Sequence, residues 1–298
     1  MKEQSVDLYY GFKKTRIYSR DELMIISAAR VIEDGDFCIV GQGLPIVAAS
    51  LAKALYCPNV ILATEAGMID FTPYVAPQHI ADPCCTKGFV ASADLIDMFT
   101  RFTGRGFVDK CFLGCAQIDK YGNINSTAIG DYFGDFQVRF PGAGGAPDFL
   151  AYSKKTILTM RGGKFVEKLD YFTSPGYLTG GNSRYEAGMP EGSGPYMLIT
   201  TEAIFKFDEV TKEMYLAEKF PGTTIEEIKA KVPWELKIAP DLKVAKGPTE
   251  KEVAWIREFD PVSAAGRTNA LALIAASMGE RKKKLMERRN KSKPQEKK

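Results

Sequence analysis

The pattern that most constrains this chain lies between residues 36 and 65. Two apolar runs rich in strand-forming residues, "DFCIV" and "VILAT", flank a Gly-rich turn and a helical stretch, "GQGLPIVAASLAKAL". Pro45 falls in the first turn of that stretch, where helices accept proline, and "CPN" ends it. Strand, turn, helix and strand in this order form a βαβ unit, so the pattern predicts a parallel sheet with helices packed against it.

The remaining segments predict that this sheet continues. A capping box at Ser19–Glu22 opens a helix before the first strand. Residues 107–127 predict a further strand and turn, and "KTILTM" and "LDYFTSP" predict two more strands. The runs "YMLITTEAIFKFD" and "EMYLAEKF" are typical of antiparallel strands at one edge, and capping boxes at Thr223–Glu226 and Thr249–Glu252 open two short helices. We therefore predict an α/β fold with an open, mostly parallel sheet, flanked by helices and carrying some antiparallel edge strands.

Charge divides the chain into two parts. Residues 280–298 hold ten Lys or Arg and three Asp or Glu, a net charge of +7. The other 279 residues hold 30 Lys or Arg and 34 Asp or Glu, a net charge of −4. We expect one domain over residues 1–261 and a basic C-terminal helix or tail over residues 262–298. A mildly acidic body argues against nucleic-acid binding. Both a solvated terminus and contact with an acidic partner surface fit the tail.

Composition removes several classes of function. No apolar run reaches the roughly 20 residues of a membrane span, and the N-terminus lacks the apolar core of a signal peptide, so we expect a cytoplasmic protein without membrane contact. The six cysteines contain no C-x-x-C pair and His79 is the only histidine, which predicts buried free thiols and no metal site. For the vicinal pair Cys84–Cys85, buried thiols are a better interpretation than redox chemistry.

Two glycine-rich segments are candidate binding loops. Gly41-Gln42-Gly43 lacks the third glycine of a dinucleotide fingerprint, because Ile46 occupies that position, and both a tight turn and a phosphate-binding turn stay open. The segment "GAGGA", residues 142–146, leads into a predicted helix, where bare backbone N–H groups can approach an oxyanion. A flexible turn fits that segment equally well. The chain has neither a P-loop nor a nucleophile elbow.

Glu65 directly follows the second strand of the βαβ unit. In parallel sheets ligands gather at the carboxyl ends of the strands, and both Gly41-Gln42-Gly43 and Glu65 fall at that edge. A single glutamate after a strand is nevertheless more often a surface residue than a catalytic one. Position alone therefore makes Glu65 a candidate nucleophile and leaves its role open.

The segment "GQGLPIVAASLAKALYCPNVILATEAGMID" resembles the corresponding part of the family I CoA-transferases, in particular the β-subunit of the glutaconate CoA-transferase type. The resemblance continues through "GCAQIDKYGNINSTAIGDY", "RFPGAGGA" and "KLDYFTSPGY" and covers about residues 20–261. It implies that Glu65 is the nucleophilic glutamate. The implied oxyanion-binding or CoA-binding positions are Gly144, Gly145, Ala146, Gly41, Gly43, Gln117 and Asn125.

The resemblance implies a covalent mechanism. The Glu65 carboxylate attacks an acyl-CoA thioester to form a mixed anhydride, and the released CoA thiolate attacks the glutamyl carbonyl to form an enzyme–CoA thioester. Backbone N–H groups of Gly144 and Gly145 would then serve as oxyanion donors. Coenzyme A is a substrate in this scheme, and no permanently bound cofactor is implied. One position departs from the family pattern, because Ala66 stands where the family often has Ser or Asn after the nucleophile.

The resemblance also implies a homologous α subunit, with the active site between the two chains of a heterodimer or larger assembly. It suggests a glutaconate-like dicarboxylate or related organic acid as the acid substrate. Two alternatives stay open: a hydrolase subunit that opens a cyclic keto acyl-CoA on the same fold, and a non-catalytic subunit that completes a partner's CoA site. The presence of Glu65 favours transfer over hydrolysis.

Overall fold

The computed structural model describes residues 7–10, 13–16, 18–134 and 136–260. The predicted basic tail, 262–298, lies outside the described residues, and the domain boundary at residue 261 stays a prediction.

In chain order the strands are β1 (Asp7–Tyr10), β2 (Lys13–Arg16), β3 (Phe37–Val40), β4 (Ile61–Ala63), β5 (Met68–Ile69), β6 (Ala91–Ser92), β7 (Lys110–Gly114), β8 (Gln117–Ile118), β9 (Ile124–Asn125), β10 (Ala128–Gly130), β11 (Phe136–Arg139), β12 (Lys155–Met160), β13 (Lys164–Phe165), β14 (Pro195–Thr200), β15 (Ala203–Phe207), β16 (Met214–Lys219) and β17 (Lys237–Val244). The helices are α1 (Arg20–Ala29), α2 (Leu44–Leu55), α3 (Leu95–Asp97), α4 (Ala146–Tyr152), α5 (Ser183–Glu186), α6 (Ile225–Lys229) and α7 (Glu250–Phe259), with a 3₁₀ turn at Pro83–Thr86 and a π-helical turn at Met98–Thr103.

A ten-stranded sheet forms the centre of the described chain, in the order β17-β16-β15-β14-β12-β7-β3-β4-β5-β6. The five central strands, from β14 to β4, are parallel to one another. On one side β15 and β16 run antiparallel, with β17 parallel to β16 at the outer edge, and on the other side β5 and β6 run antiparallel. The predicted open, mostly parallel α/β sheet with antiparallel edge strands is confirmed.

Helices cover both faces of the sheet. One core layer contains α1, α2 and α7, and the other contains α4, α6 and the π-helical turn. Because α2 is apolar on all sides, it is buried along most of its length, from Pro45 to Ala52. Ion pairs hold α7 against α1: Arg257 Nε lies 2.6 Å from Glu22 Oε1, and Arg30 Nη2 lies 2.8 Å from Glu252 Oε2. Because the five central strands are parallel, their carboxyl ends lie at one edge of the sheet.

Most of the predicted local features are confirmed, including the capping boxes at Ser19 and Thr249 and the burial of all six cysteines. The capping box predicted at Thr223 is wrong by one residue. Thr224 caps α6 together with Glu227, because Thr223 N already donates to Phe220 O and Thr223 belongs to the preceding turn. None of the helices in the described parts of the chain is long and apolar enough to cross a membrane.

The strand predicted for "LDYFTSP" is also wrong. In this segment only Ser174 forms a β-bridge, an isolated one with Ile124. The segment forms no regular strand, because Thr173 N and Ser174 N both donate to Ile124 O in β9, and Gly176 N, just after the segment, donates to Asn123 Oδ1 at 2.8 Å. Strand propensity was overruled here by backbone and side-chain hydrogen bonds to a distant part of the chain, Asn123 and Ile124.

Candidate active site

Glu65 lies on the tight turn between β4 and β5. Gly67 N donates to Thr64 O at 2.9 Å, and Thr64 N donates to Met68 O at 3.0 Å, so the backbone of the turn is closed. The Glu65 side chain is half-buried, and among the described residues no group hydrogen-bonds to its carboxylate or forms an ion pair with it. A carboxylate that no described residue binds is free to meet a ligand.

Gly67 fixes the shape of this turn. Its φ is +94°, and a Cβ at this position would lie 1.9 Å from Ala93 O, just after β6. Ala93 N in turn donates to Gly67 O at 2.9 Å. The chain after β6 therefore packs directly on the backbone of the turn that carries Glu65, and only glycine leaves room for it.

We predict that Gly67→Ala lowers the free energy of unfolding by about 3 kcal/mol, because a left-handed alanine costs roughly 1–2 kcal/mol and the Ala93 carbonyl must also move. Urea denaturation measures the change. Gly35→Ala is the matched control, since Gly35 has a φ of +89° but no atom within 4 Å of its Cβ position. An equal loss in the two variants would contradict the steric role of Gly67.

A glycine loop, residues 142–145, meets Glu65 at this edge. Glu65 Oε2 lies 3.9 Å from the Cβ position of Gly144, whose φ is +50°. The N–H groups of Gly144 and Gly145 donate to no acceptor in the described part of the chain. Ala146 differs, because its N–H donates to Ala143 O at 3.0 Å. The loop that meets the glutamate thus carries two backbone donors without an acceptor among the described residues, and the predicted third position, Ala146, offers none.

Two aromatic rings hold the glycine loop in place. A Cβ on Gly145 would lie 2.6 Å from the ring of Phe99, in the π-helical turn, and 2.7 Å from the ring of Phe149, in α4. The two ring centroids are 5.1 Å apart. These rings occupy the space that a side chain at residue 145 would need. A larger residue there would therefore force the loop to move.

Gln117 and Asn125 form a buried network that supports the same loop. Asn125 Nδ2 donates to Gln117 Oε1 at 2.7 Å, and Gln117 Nε2 donates to Asp170 Oδ2 at 3.0 Å. The next residue, Ser126, donates through its hydroxyl to Gly142 O at 3.1 Å. Both amide side chains are hydrogen-bonded within the chain, so direct contact with a ligand stays a prediction, and what the structure shows is a connection to the loop.

Comparison with known proteins decides the family. The family model "Coenzyme A transferase" matches residues 22–231. The chain belongs to the coenzyme A transferase family. It is 36% identical over 250 residues to the B subunit of 3-oxoadipate CoA-transferase from Pseudomonas knackmussii, covering 83% of this chain and 95% of that protein. It is also 36% identical over 255 residues to the B subunit of glutaconate CoA-transferase from Acidaminococcus fermentans, covering 82% and 93%.

The tertiary structure agrees with this assignment. The chain is similar to the crystal structure of glutaconate coenzyme A-transferase from Acidaminococcus fermentans, with a TM-score of 0.76 and 33% identity, over 84% of this chain and 98% of that one. The predicted membership is confirmed: this is a family I CoA-transferase chain of the B-subunit type. The two similar B subunits are named for different acids, so membership leaves the acid open.

In this CoA-transferase chain the Gly41–Gly43 turn lies at the same edge but on the other face of the sheet. Gly43, with a φ of +79°, caps α2 without a side-chain hydrogen bond. The turn lines a cavity of about 320 Å³ together with Thr159 and Arg161 at the end of β12. The cavity also touches α1, whereas Glu65 and Gly144 lie on the α4 side. The Gly41–Gly43 turn and the glycine loop, residues 142–145, therefore lie on different faces of the sheet and do not form one site in this chain.

Cys111 and Cys115 of this CoA-transferase chain are not alternative nucleophiles to Glu65. Burial raises the pKa of the Cys111 thiol, and the nearby charge of Glu65 raises it further. Burial also raises the pKa of Cys115, at the end of β7, to about 12. Both thiols are neutral at physiological pH, and a neutral thiol is a poor nucleophile. No group of three His, Cys, Asp or Glu residues in the described ranges could hold a metal ion.

One cation near the loop was missed by the sequence analysis. Arg139 ends β11, three residues before Gly142, and its guanidinium lies against the glycine loop. The signal was present, because "RFPGAGGA" places an arginine next to the glycines. An isolated arginine in a hairpin is usually a solvated surface residue, and Arg139 is itself exposed, so local sequence does not distinguish it from other surface cations.

Proposed function

We propose that this chain supplies the covalent nucleophile of its CoA-transferase and moves CoA from an acyl-CoA to a free carboxylic acid through a Glu65–CoA thioester. The observation that carries the proposal is the pairing of an unpartnered carboxylate with free backbone donors. Glu65 Oε2 lies 3.9 Å from the Cβ position of Gly144, and the N–H groups of Gly144 and Gly145 have no acceptor among the described residues.

The covalent steps of this proposal use these groups and the two substrates. The Glu65 carboxylate attacks the thioester carbonyl, the C–S bond breaks, and CoA leaves as a thiolate with a mixed anhydride on Glu65. The thiolate then attacks the glutamyl carbonyl, which releases the donor acid as a carboxylate and leaves a Glu65–CoA thioester. The acceptor acid repeats these steps in reverse. Each step passes through an oxyanion, which the N–H groups of Gly144 and Gly145 can stabilise.

We further propose that the acid is a dicarboxylate or a related organic acid. The support is the 36% identity to two B subunits whose names specify 3-oxoadipate and glutaconate, both of which carry two carboxylates. Gln117 and Asn125 act in this scheme by holding the segment that is bonded to Gly142, rather than by touching the acid.

A homologous α subunit completes the site in this proposal. Large apolar side chains next to β6 are exposed to solvent; they are Phe89, Val90, Leu95 and Ile96. β6 ends the sheet, and Ala93 just after it is bonded to the Gly67 backbone of the nucleophile turn. An apolar patch at an unpaired strand edge is typical of a protein–protein interface. We place the contact with the α subunit there, in a heterodimer or larger assembly.

The test is to trap the intermediate. The full chain, purified with its α subunit, is incubated with an acyl-CoA without acceptor acid, treated with borohydride and digested with trypsin. We expect activity to fall only when acyl-CoA was present, and the peptide of residues 54–87 to contain Glu65 reduced to the alcohol. Enzyme treated without acyl-CoA is the control.

Two outcomes would contradict the proposal. Steady release of free CoA and acid without any acceptor would identify a hydrolase. Full activity after borohydride, with an unmodified peptide 54–87, would show that Glu65 forms no thioester.

A further inference from the structure

Arg139 carries a positive charge that no carboxylate in the described part of the chain neutralises. Its Nη1 donates to Thr127 O at 2.7 Å and to Phe140 O. Its guanidinium carbon lies 5.6 Å from the ring centroid of Tyr132. No carboxylate in the described part of the chain forms an ion pair with it, and its Nη2 and Nε groups have no hydrogen-bond acceptor there. Neutral groups therefore fix this guanidinium and leave one side of it free.

The free side of Arg139 faces the glycine loop. Its Nη2 lies 3.5 Å from the Cβ position of Gly142, while Glu65 Oε2 lies 3.9 Å from that of Gly144. Residues two apart in a chain have Cα atoms at most about 7 Å apart. Arg139 and Glu65 therefore flank one short stretch of backbone, with the free N–H groups of the loop beginning between them.

This arrangement suits an anion more than any other ligand. An arginine presents parallel N–H donors that match the two oxygens of a carboxylate or phosphate. Because two carbonyls and an aromatic ring already hold the side chain, little further freedom is lost when an anion binds. The hydrogen bond from Arg139 to Thr127 uses Nη1 alone. A structural role in holding β11 in place therefore does not explain why the Nη2 and Nε groups are free.

We propose that Arg139 is an oxyanion-binding site on the rim of the glycine loop, and that it takes the second carboxylate of a dicarboxylic acid substrate. This inference rests on the proposed function of Glu65 and adds the residue that selects the acid. A phosphate group of CoA has the same chemistry and is the other source of an anion at this position. Substrates that lack one of these groups distinguish the two sources.

The experiment compares acids that differ in charge. The complex with the α subunit is assayed with acetyl-CoA as donor and either glutaconate or isotope-labelled acetate as acceptor, the label reporting exchange into acetyl-CoA, for wild type, Arg139→Met and Arg139→Lys. We expect Arg139→Met to lower kcat/KM for glutaconate by roughly 10- to 100-fold, the range for a lost hydrogen bond to a charged group, and to change the value for acetate less than about threefold. Arg139→Lys should recover part of the loss, because it keeps the charge without the fork.

The control variant is Arg105→Met. Arg105 is exposed, lies near Asp109 and Lys154 at the opposite edge of the sheet, and no group in the described ranges is bonded to it. Its kinetics with both acids should equal those of wild type. Thermal melting of each variant complex confirms that the Arg139 variants are folded.

The outcomes separate the possibilities. A rise in KM for acetyl-CoA that is the same with both acceptors would show that Arg139 binds a phosphate of CoA. The oxyanion site would then be supported, and the substrate carboxylate as its ligand would be wrong. Unchanged kinetics, or an equal loss of kcat for both acids at constant KM, would overturn the site and leave Arg139 as a tie within the hairpin. None of these outcomes changes the labelling of Glu65 in the wild-type enzyme. If Glu65 of wild type is not labelled, the proposed function itself fails.

Discussion

Glu65→Gln is expected to lower kcat for CoA transfer by a factor on the order of 10⁴ or more, the scale seen when a covalent nucleophile is removed. An amide has nearly the same shape as the carboxylate but cannot attack a thioester. The side chain is half-buried and has no bonding partner among the described residues, so the substitution disturbs no internal contact. Free energies of unfolding should therefore agree within about 0.5 kcal/mol.

Steady-state kinetics of the complex with the α subunit measure the loss. Glu191→Gln is the matched control, because Glu191 lies in an exposed loop and the same change there should leave kcat unaltered. Glu65→Asp keeps the carboxylate but withdraws it by one methylene. Its kcat should therefore lie between that of Glu65→Gln and that of Glu191→Gln. A Glu65→Gln enzyme that retained more than about a tenth of wild-type kcat would be inconsistent with nucleophilic catalysis at this position.

Arg184→Met is expected to lower the free energy of unfolding by about 3–4 kcal/mol, since each buried carbonyl left without a donor costs roughly 1 kcal/mol or more. Arg184 is completely buried, and burial lowers its pKa. It has no carboxylate partner in the described structure. Its donors reach five acceptors, which are Pro175 O, Gly176 O, Leu150 O, Ala151 O and Ser193 Oγ.

Urea denaturation of the Arg184→Met complex gives the change. Arg161→Met serves as the control, because Arg161 is half-exposed and its ion pair with Asp21 is at the surface, where such pairs contribute less than about 1 kcal/mol. Since Arg184 binds the last carbonyls of α4, and the glycine loop leads into the start of α4, kcat should also fall at temperatures where the variant is still folded. A loss of unfolding free energy below about 1 kcal/mol would mean that water or a local rearrangement satisfies these carbonyls.

The site could be predicted only in part. Sequence placed Glu65 at the carboxyl edge of the sheet, because the ends of neighbouring parallel strands meet there. It also identified the glycine loop, since a run of glycines before a helix is a local signal. The predicted binding roles of Gln117 and Asn125 came from resemblance alone. Their buried hydrogen bonds to Asp170 and to each other follow from contacts that no local pattern reports.

The sequence by itself determined the βαβ unit around residues 36–65, the capped helices at Ser19 and Thr249, and the family, because each depends on residues that are close together in the chain. Only the tertiary structure decided that Glu65 Oε2 lies within 4 Å of the Gly144 Cβ position, and that Arg139 flanks the same loop without a carboxylate partner among the described residues. It also showed that Arg184, in a segment that looks like a polar loop, is a buried donor to distant carbonyls. Such contacts join residues far apart in sequence, so they form only when the whole sheet and its helices pack together.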